Sequence, residues 1–247
     1  MPGGTWIGLQ FGWHTTFLTV AAFGLVALFF ITSVIKSTGH GEAKDVKAQL
    51  AAFKNPMLLI SLAITVFAWS GFMTLYGYIA PIAMHITGFG ESAVTWILVI
   101  VGVGLIVGNT MGGRSSDKNL QKASMFWAIA MIVSLVLVGL TVDSKVLFIA
   151  TAFVFGIASF ANVPAMQLRV MNHGGEGQEL AATANISAFN LANAFGGFLG
   201  GMVLDSQMGA GMIPYAAIIV PLIGLLFIAK ANRQESKQTE LTPSFNN

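Results

Sequence analysis

The chain has 247 residues and no cysteine, and only 9% of it is Asp, Glu, Lys or Arg, where a soluble domain carries about a quarter. Apolar residues make up 55%, the 28 glycines raise that share to about two thirds, and the mean hydropathy is +0.76, which excludes an ordinary water-facing surface. The net charge of +2 comes from 12 basic and 10 acidic residues lying outside the apolar runs, so no nucleic-acid surface is expected, and disulfides, thiolate catalysis and Cys-ligated metal centres are excluded.

Residues 1–14, MPGGTWIGLQFGWH, have no basic start and lack the apolar stretch of a signal peptide. Pro2, Gly3, Gly4, Gly8 and Gly12 read instead as the glycine-rich end of a preceding helix and its turn, with Trp6 and Trp13 at the membrane interface. On this reading the sequence is a reading frame that lacks its beginning. Uncharged runs long enough to cross roughly 30 Å of hydrocarbon at about 1.5 Å per residue follow. They lie at 15–35, 56–79, 92–111, 123–142, 146–167, 180–204 and 212–229. Lipid offers the backbone no hydrogen-bond partner, so each run is a helix and the fold class is an all-α, polytopic bundle of seven transmembrane helices. Asn55 as N-cap with Pro56 at the first helical position fixes one start sharply. The division expected is 1–54 (end of a preceding helix, one span and a linker), 55–230 (a six-helix bundle) and 231–247 (a tail).

Basic residues assign the sides. Lys36, Lys44, Lys47 and Lys54, then Arg114, Lys118 and Lys122, then Arg169, then Lys230, Arg233 and Lys237 all fall in connectors on one side, and only Lys145 falls on the other. Short basic loops stay cytoplasmic, so the N-terminus is expected outside and the C-terminus inside.

Several groups of residues carry candidate chemistry. The stretch Gly108–Lys118, GNTMGGRSSDK, reads as a loop in which glycines let helix ends approach and Arg114 and Asp117 could pair with each other or with neighbouring helix ends as a conformational latch; composition alone favours a plain basic turn. Gly196, Gly197, Gly200 and Gly201 form two small-xxx-small pairs, a packing face. Asn185, Asn190 and Asn193 span an arc of about 140° at 100° per residue, one side of a helix facing either a cavity or neighbouring helices. Trp69 lies near mid-membrane with Ser70, Thr74 and Tyr78, and the fifth span adds Ser159, Asn162, Pro164 and Gln167. Together these are the cavity candidates, with core packing as the alternative. Every acidic residue is read as lying in a loop or tail, the four histidines as lying in or beside loops, and no hydrolytic or metal motif occurs, so no enzyme, metal site or cofactor is expected.

Three stretches, PGGTWIGLQFGWHTTF at 2–17, GNTMGGRSSDK, and ISAFNLANAFGGFLGGMVLD at 186–205, resemble the major facilitator superfamily, and within it the drug:proton antiporter branch of arabinose-efflux-like and purine-efflux-like permeases. That family has twelve helices in two six-helix halves rocking about a central cavity, and this chain is similar to the end of helix five and helices six to twelve. The resemblance implies alternating-access transport of a small solute in a bacterial inner membrane, by proton-coupled efflux of a sugar, nucleoside or amphipathic drug. It also implies that Gly113, Arg114 and Asp117 set the balance between inward-open and outward-open states, with Lys118 where arginine is common and His14 where an arginine usually follows GW. The family's coupling carboxylates belong to an N-terminal half, so the expected partners are the bilayer, a solute and a missing N-terminal half. A transport-incompetent truncated half is the first alternative. A seven-helix receptor or retinal protein is the second, although 212–229 contains no lysine to hold retinal.

Overall fold

The computed structural model describes residues 2–34 and 46–241; Lys36, Lys44 and residues 242–247 lie outside the described residues, as does the side chain of Trp6. Helix α1 (Pro2–Phe11) ends at Gly12, whose φ of 83° only glycine adopts without strain, and α2 (Trp13–Val34) starts at once. The glycine-rich N-terminus is thus a helix and turn, as its composition indicates. Helix α2 buries none of its residues. After the short α3 (Val46–Ala51) and a 3₁₀ turn, Asn55 caps α4 (Pro56–Tyr76) by accepting from the Met57 amide, and α4 continues past a break at Gly77 and Tyr78 as α5 (Ile79–His85).

The structure departs from the sequence reading in four places. Residues 108–118 are not a loop: α6 runs from Glu91 to Lys118, and Asn119 alone separates it from α7 (Leu120–Thr141), accepting from the Lys122 amide. A helical N-cap one residue later leaves no room for a connector. The fifth span breaks at Ala161 into α8 (Lys145–Phe160) and α9 (Asn162–His173), so Arg169 is helical rather than a loop residue. After α10 (Gln178–Asp205), α11 runs from Ile213 to Leu241, and residues 231–241 extend the last helix where a tail was expected. Asp117 and Glu235 therefore lie within helices, against the expectation that all acidic residues occupy loops or tails.

Among the described residues seven segments are long and apolar enough to cross a membrane, ending with Ala210–Lys237. Trp96, Ile106, Leu140, Phe198 and Leu226 are each more than two thirds exposed, an exterior that suits lipid and not water. The chain is a multi-pass membrane protein. Inside the bundle α4 packs between α10 and α11, while α8 packs between α6 and α7. Phe148, Phe155, Leu75, Ile82 and Leu135 fill the centre without residual exposure.

Lipid supplies no hydrophobic drive for helices to associate, so close backbone approach must replace it. On α6 a Cβ at Gly108 would collide with the Ile157 carbonyl oxygen and one at Gly112 with that of Ala161, so the two helices meet backbone to backbone. A second seam joins α10 to α4: Gly196 lies on the Ser70 carbonyl and Gly200 on the Tyr78 ring.

Candidate functional site

Helix α10 has three faces. Asn185, Ala188, Ala192, Gly196 and Val203 are buried against the bundle. Leu191, Phe195, Phe198 and Met202 are exposed and apolar, as befits a lipid face. Along a third line Thr183, Ser187 and Asn190, spaced i, i+4 and i+7, are exposed and polar. Ala194 and Gly197, at i+11 and i+14, continue that line with little or no side chain, which leaves room beside the Asn190 amide. An open asparagine on a spanning helix cannot face hydrocarbon without leaving its amide unsatisfied.

The three asparagines expected to share one side are separated by their arc. Asn190 stands on the open stripe. Asn193, half-buried, accepts from the Trp69 indole N–H at 2.9 Å. Asn185 is fully buried, donating to Gln167 Oε1 at 2.7 Å and accepting from the Thr65 hydroxyl at 2.7 Å. It thereby joins α4, α9 and α10. Asn185→Leu should cost about 1–3 kcal/mol, since it deprives the buried Thr65 hydroxyl and the half-buried Gln167 amide of a partner; chemical denaturation in detergent measures it.

Trp69 sits at the junction of an aromatic group, its ring 4.5 Å from Phe72 and 5.3 Å from both Phe160 and Phe189. Its indole is thus fixed by one hydrogen bond and three ring contacts, two of them edge-to-face. Ser70 and Thr74, both buried, return their hydroxyls to carbonyls of their own helix, at Phe67 and Ser70. Tyr78 donates to the Gly197 carbonyl at 2.7 Å and pins the break in the second span to α10. Asn162 is buried at the α8–α9 break and donates to the carbonyls of Ala158 and Trp127. Ser159, one turn earlier, is buried with no partner for its hydroxyl among the described residues. Of the cavity candidates, Asn190 faces outward and Asn193 and Tyr78 are half-buried, whereas Trp69, Ser70, Thr74, Ser159, Asn162 and Asn185 are buried inside the bundle.

The glycines also divide. Gly196 and Gly200 are in the seam with α4 and Gly201 approaches the Tyr78 hydroxyl, but a Cβ at Gly197 would meet nothing within 4 Å. At the end of α6, Arg114 and Asp117 are exposed and form no ion pair or hydrogen bond with each other or with any other described residue. Gly113 is likewise open. All three present themselves outward, to whatever faces this end of α6.

A cluster that the sequence reading did not single out lies at the same end of the bundle. Arg169, 1% exposed, donates to Glu235 at 3.0 Å, to the Ser124 hydroxyl at 3.0 Å and to Asn232 Oδ1 at 2.6 Å. Glu235 is also bound by His173 at 3.0 Å and Gln121 at 3.2 Å, and Asn55 donates to the His173 carbonyl. Four helix ends, those of α4, α7, α9 and α11, are tied around one guanidinium. Arginine suits this place because its fixed fork serves several acceptors at once. The sequence signal was Arg169 itself, the one charge amid a long apolar run, with Glu235 in register on a helix that does not stop at 230. Among the described residues no group of three or more His, Asp or Glu could hold a metal.

The Major Facilitator Superfamily model matches residues 1–201 and 73–245. The chain is 32% identical over 235 residues to the inner membrane transport protein YdhP of Escherichia coli K12, covering 95% of this chain and 60% of that protein. It is 30% identical over 250 residues to the MFS-type transporter YtbD of Bacillus subtilis 168, covering 96% and 62%. It is 25% identical over 234 residues to a chloramphenicol resistance protein of Streptomyces lividans, covering 89% and 59%. The chain thus spans about three fifths of the length of the curated relatives it matches, and the match includes their C-terminal part. The homologues of this family are transporters and not enzymes. Seven apolar spans, glycine seams that bring helices to backbone contact, and a family match across nearly every residue establish that the chain belongs to the major facilitator superfamily.

Proposed function

We propose that the chain forms the C-terminal part of an inner-membrane transporter that moves a small solute by alternating access, by proton-coupled efflux of a sugar, a nucleoside or an amphipathic drug. The observation that carries this reading is the exposed polar stripe Thr183, Ser187 and Asn190 on α10, with the Trp69–Asn193 pair behind it. The open Asn190 amide and the Ser187 hydroxyl offer hydrogen bonds to an uncharged polar solute, and the buried Trp69 indole holds Asn193 in place behind them. The relative concerned with chloramphenicol resistance supports a drug as one such solute. On this reading the stripe faces a second helix bundle across the solute path, with Ala194 and Gly197 keeping the path wide beside Asn190. The N-terminus of the chain then lies outside and its basic connectors lie in the cytoplasm. Arg114, Asp117 and Gly113 form the latch by meeting that second bundle, which explains why the pair is open within this one.

The test is efflux of labelled arabinose, adenosine and chloramphenicol from cells, or uptake into inverted vesicles, by the chain joined to the N-terminal helices of its family. Asn190→Leu should lower transport of the accepted solute about tenfold, the worth of one hydrogen bond lost in a dry site. Asp117→Ala should impair transport of every solute while membrane insertion stays intact. Undiminished transport in both variants overturns the site. Transport by the chain without added helices overturns the need for a second bundle.

A further inference from the structure

We propose that the recess between the start of α7 and the end of α11 is a binding site for an anionic phospholipid. The recess, of about 390 Å³, is lined by Gln121, Lys122, Met125, Phe126 and Asn232. Two of its polar side chains are already committed. Gln121 donates to Glu235 and accepts from Ser236, while Asn232 accepts from Arg169 and donates to the Gln121 carbonyl. The acidic neighbour, Glu235, is engaged by Arg169 and His173. The Lys122 ammonium is different: its side chain is exposed and makes no ion pair or hydrogen bond with any described residue. The recess therefore offers one uncompensated positive charge above a rigid, fully bonded floor.

Below Lys122 the wall is apolar and continuous. Phe126, Ile129 and Val133, at i+4, i+7 and i+11 from Lys122, are 61%, 44% and 49% exposed and form a ridge along α7. A soluble anion would use the charge and leave the ridge bare. A phospholipid with a negative headgroup uses both, seating its phosphate on Lys122 and an acyl chain along the ridge. This reading rests on the membrane-spanning architecture alone and does not depend on the transport proposal.

The test is native mass spectrometry of the purified full chain after equilibration with equal amounts of phosphatidylglycerol and phosphatidylcholine. Phosphatidylglycerol should be retained about fivefold over phosphatidylcholine, as expected for one basic residue near a phosphate. Lys122→Gln should bring the two lipids to parity, Lys122→Arg should keep the preference, and Lys145→Gln, at the opposite end of the bundle, should leave it unchanged. Equal retention in the unaltered protein, which needs no variant to fold, overturns the proposal. A preference that survives Lys122→Gln overturns the site, and displacement of the lipid by millimolar inorganic phosphate overturns the role of the apolar ridge.

Discussion

Glu235→Ala should destabilise the bundle by about 3–5 kcal/mol, the cost of stranding a buried charge when its partner is removed. Arg169 is 1% exposed, so its guanidinium cannot turn to water when the carboxylate goes; it keeps only the Ser124 hydroxyl and the Asn232 amide oxygen. His173 and Gln121 lose their acceptor in the same step. Glu235→Gln preserves an acceptor and should cost roughly half as much, because hydrogen bonding survives while charge compensation does not. The decisive comparison is the pair Arg169→Met with Glu235→Leu. Replacing both charges by apolar groups of similar size removes the desolvation penalty along with the attraction and should restore most of the stability. Detergent-solubilised protein unfolded by chemical denaturant, followed by intrinsic tryptophan fluorescence, reads all of these. A Glu235→Ala protein as stable as the unaltered chain would show that the four helix ends are not held by this cluster.

The same cluster shows where the sequence was legible and where it was not. Hydropathy locates spans because lipid forbids an unbonded backbone, and all of the expected spans are helices in the structure. Their ends are another matter. Hydropathy falls at Gly112 and at Lys230, but a helix stops only where its backbone bonds are taken over by a cap or a break, and neither place has one. The helices therefore continue as polar rods beyond the apolar run, and that continuation brings Glu235 to Arg169. Asn55 was legible because a cap is a local, covalently adjacent signal, whereas the partners Asn55 and His173 are 118 residues apart. The cavity residues were only half legible for a related reason. Helical spacing places Asn185, Asn190 and Asn193 on one broad arc, but whether a given angle faces a neighbour or open space depends on α4, whose position no local pattern encodes. Thr65 and Gln167 claim Asn185, the Trp69 indole claims Asn193, and Asn190 is left on the open stripe. Glycine spacing marked the α10 seam, yet the distinction between Gly196 and Gly197 again required the partner helix.

Gly108→Val should cost about 3 kcal/mol, the upper end of what overpacking imposes, because the obstacle is backbone and not a movable side chain. A Cβ at this position would overlap the carbonyl oxygen, carbonyl carbon and Cα of Ile157, and Gly112 has the same relation to Ala161. Relief requires α6 to move away from α8, which breaks contact along both glycines at once. It also disturbs the α8–α9 break that Asn162 stabilises through the Trp127 carbonyl. Gly113→Ala is the matched control. It stands beside the seam on the same helix, a Cβ there meets nothing within 4 Å, and alanine in a helix interior is favoured over glycine by about 1 kcal/mol. Stability should therefore be unchanged or slightly raised. If the open end of α6 acts as a latch against a second bundle, the same Gly113→Ala change should slow transport in the joined protein although the bundle itself is no weaker. Equal loss of stability at Gly108 and Gly113 would mean that α6 and α8 do not meet backbone to backbone. A Gly113→Ala protein with normal stability and normal transport would mean that close approach at this end of α6 plays no part in the conformational cycle.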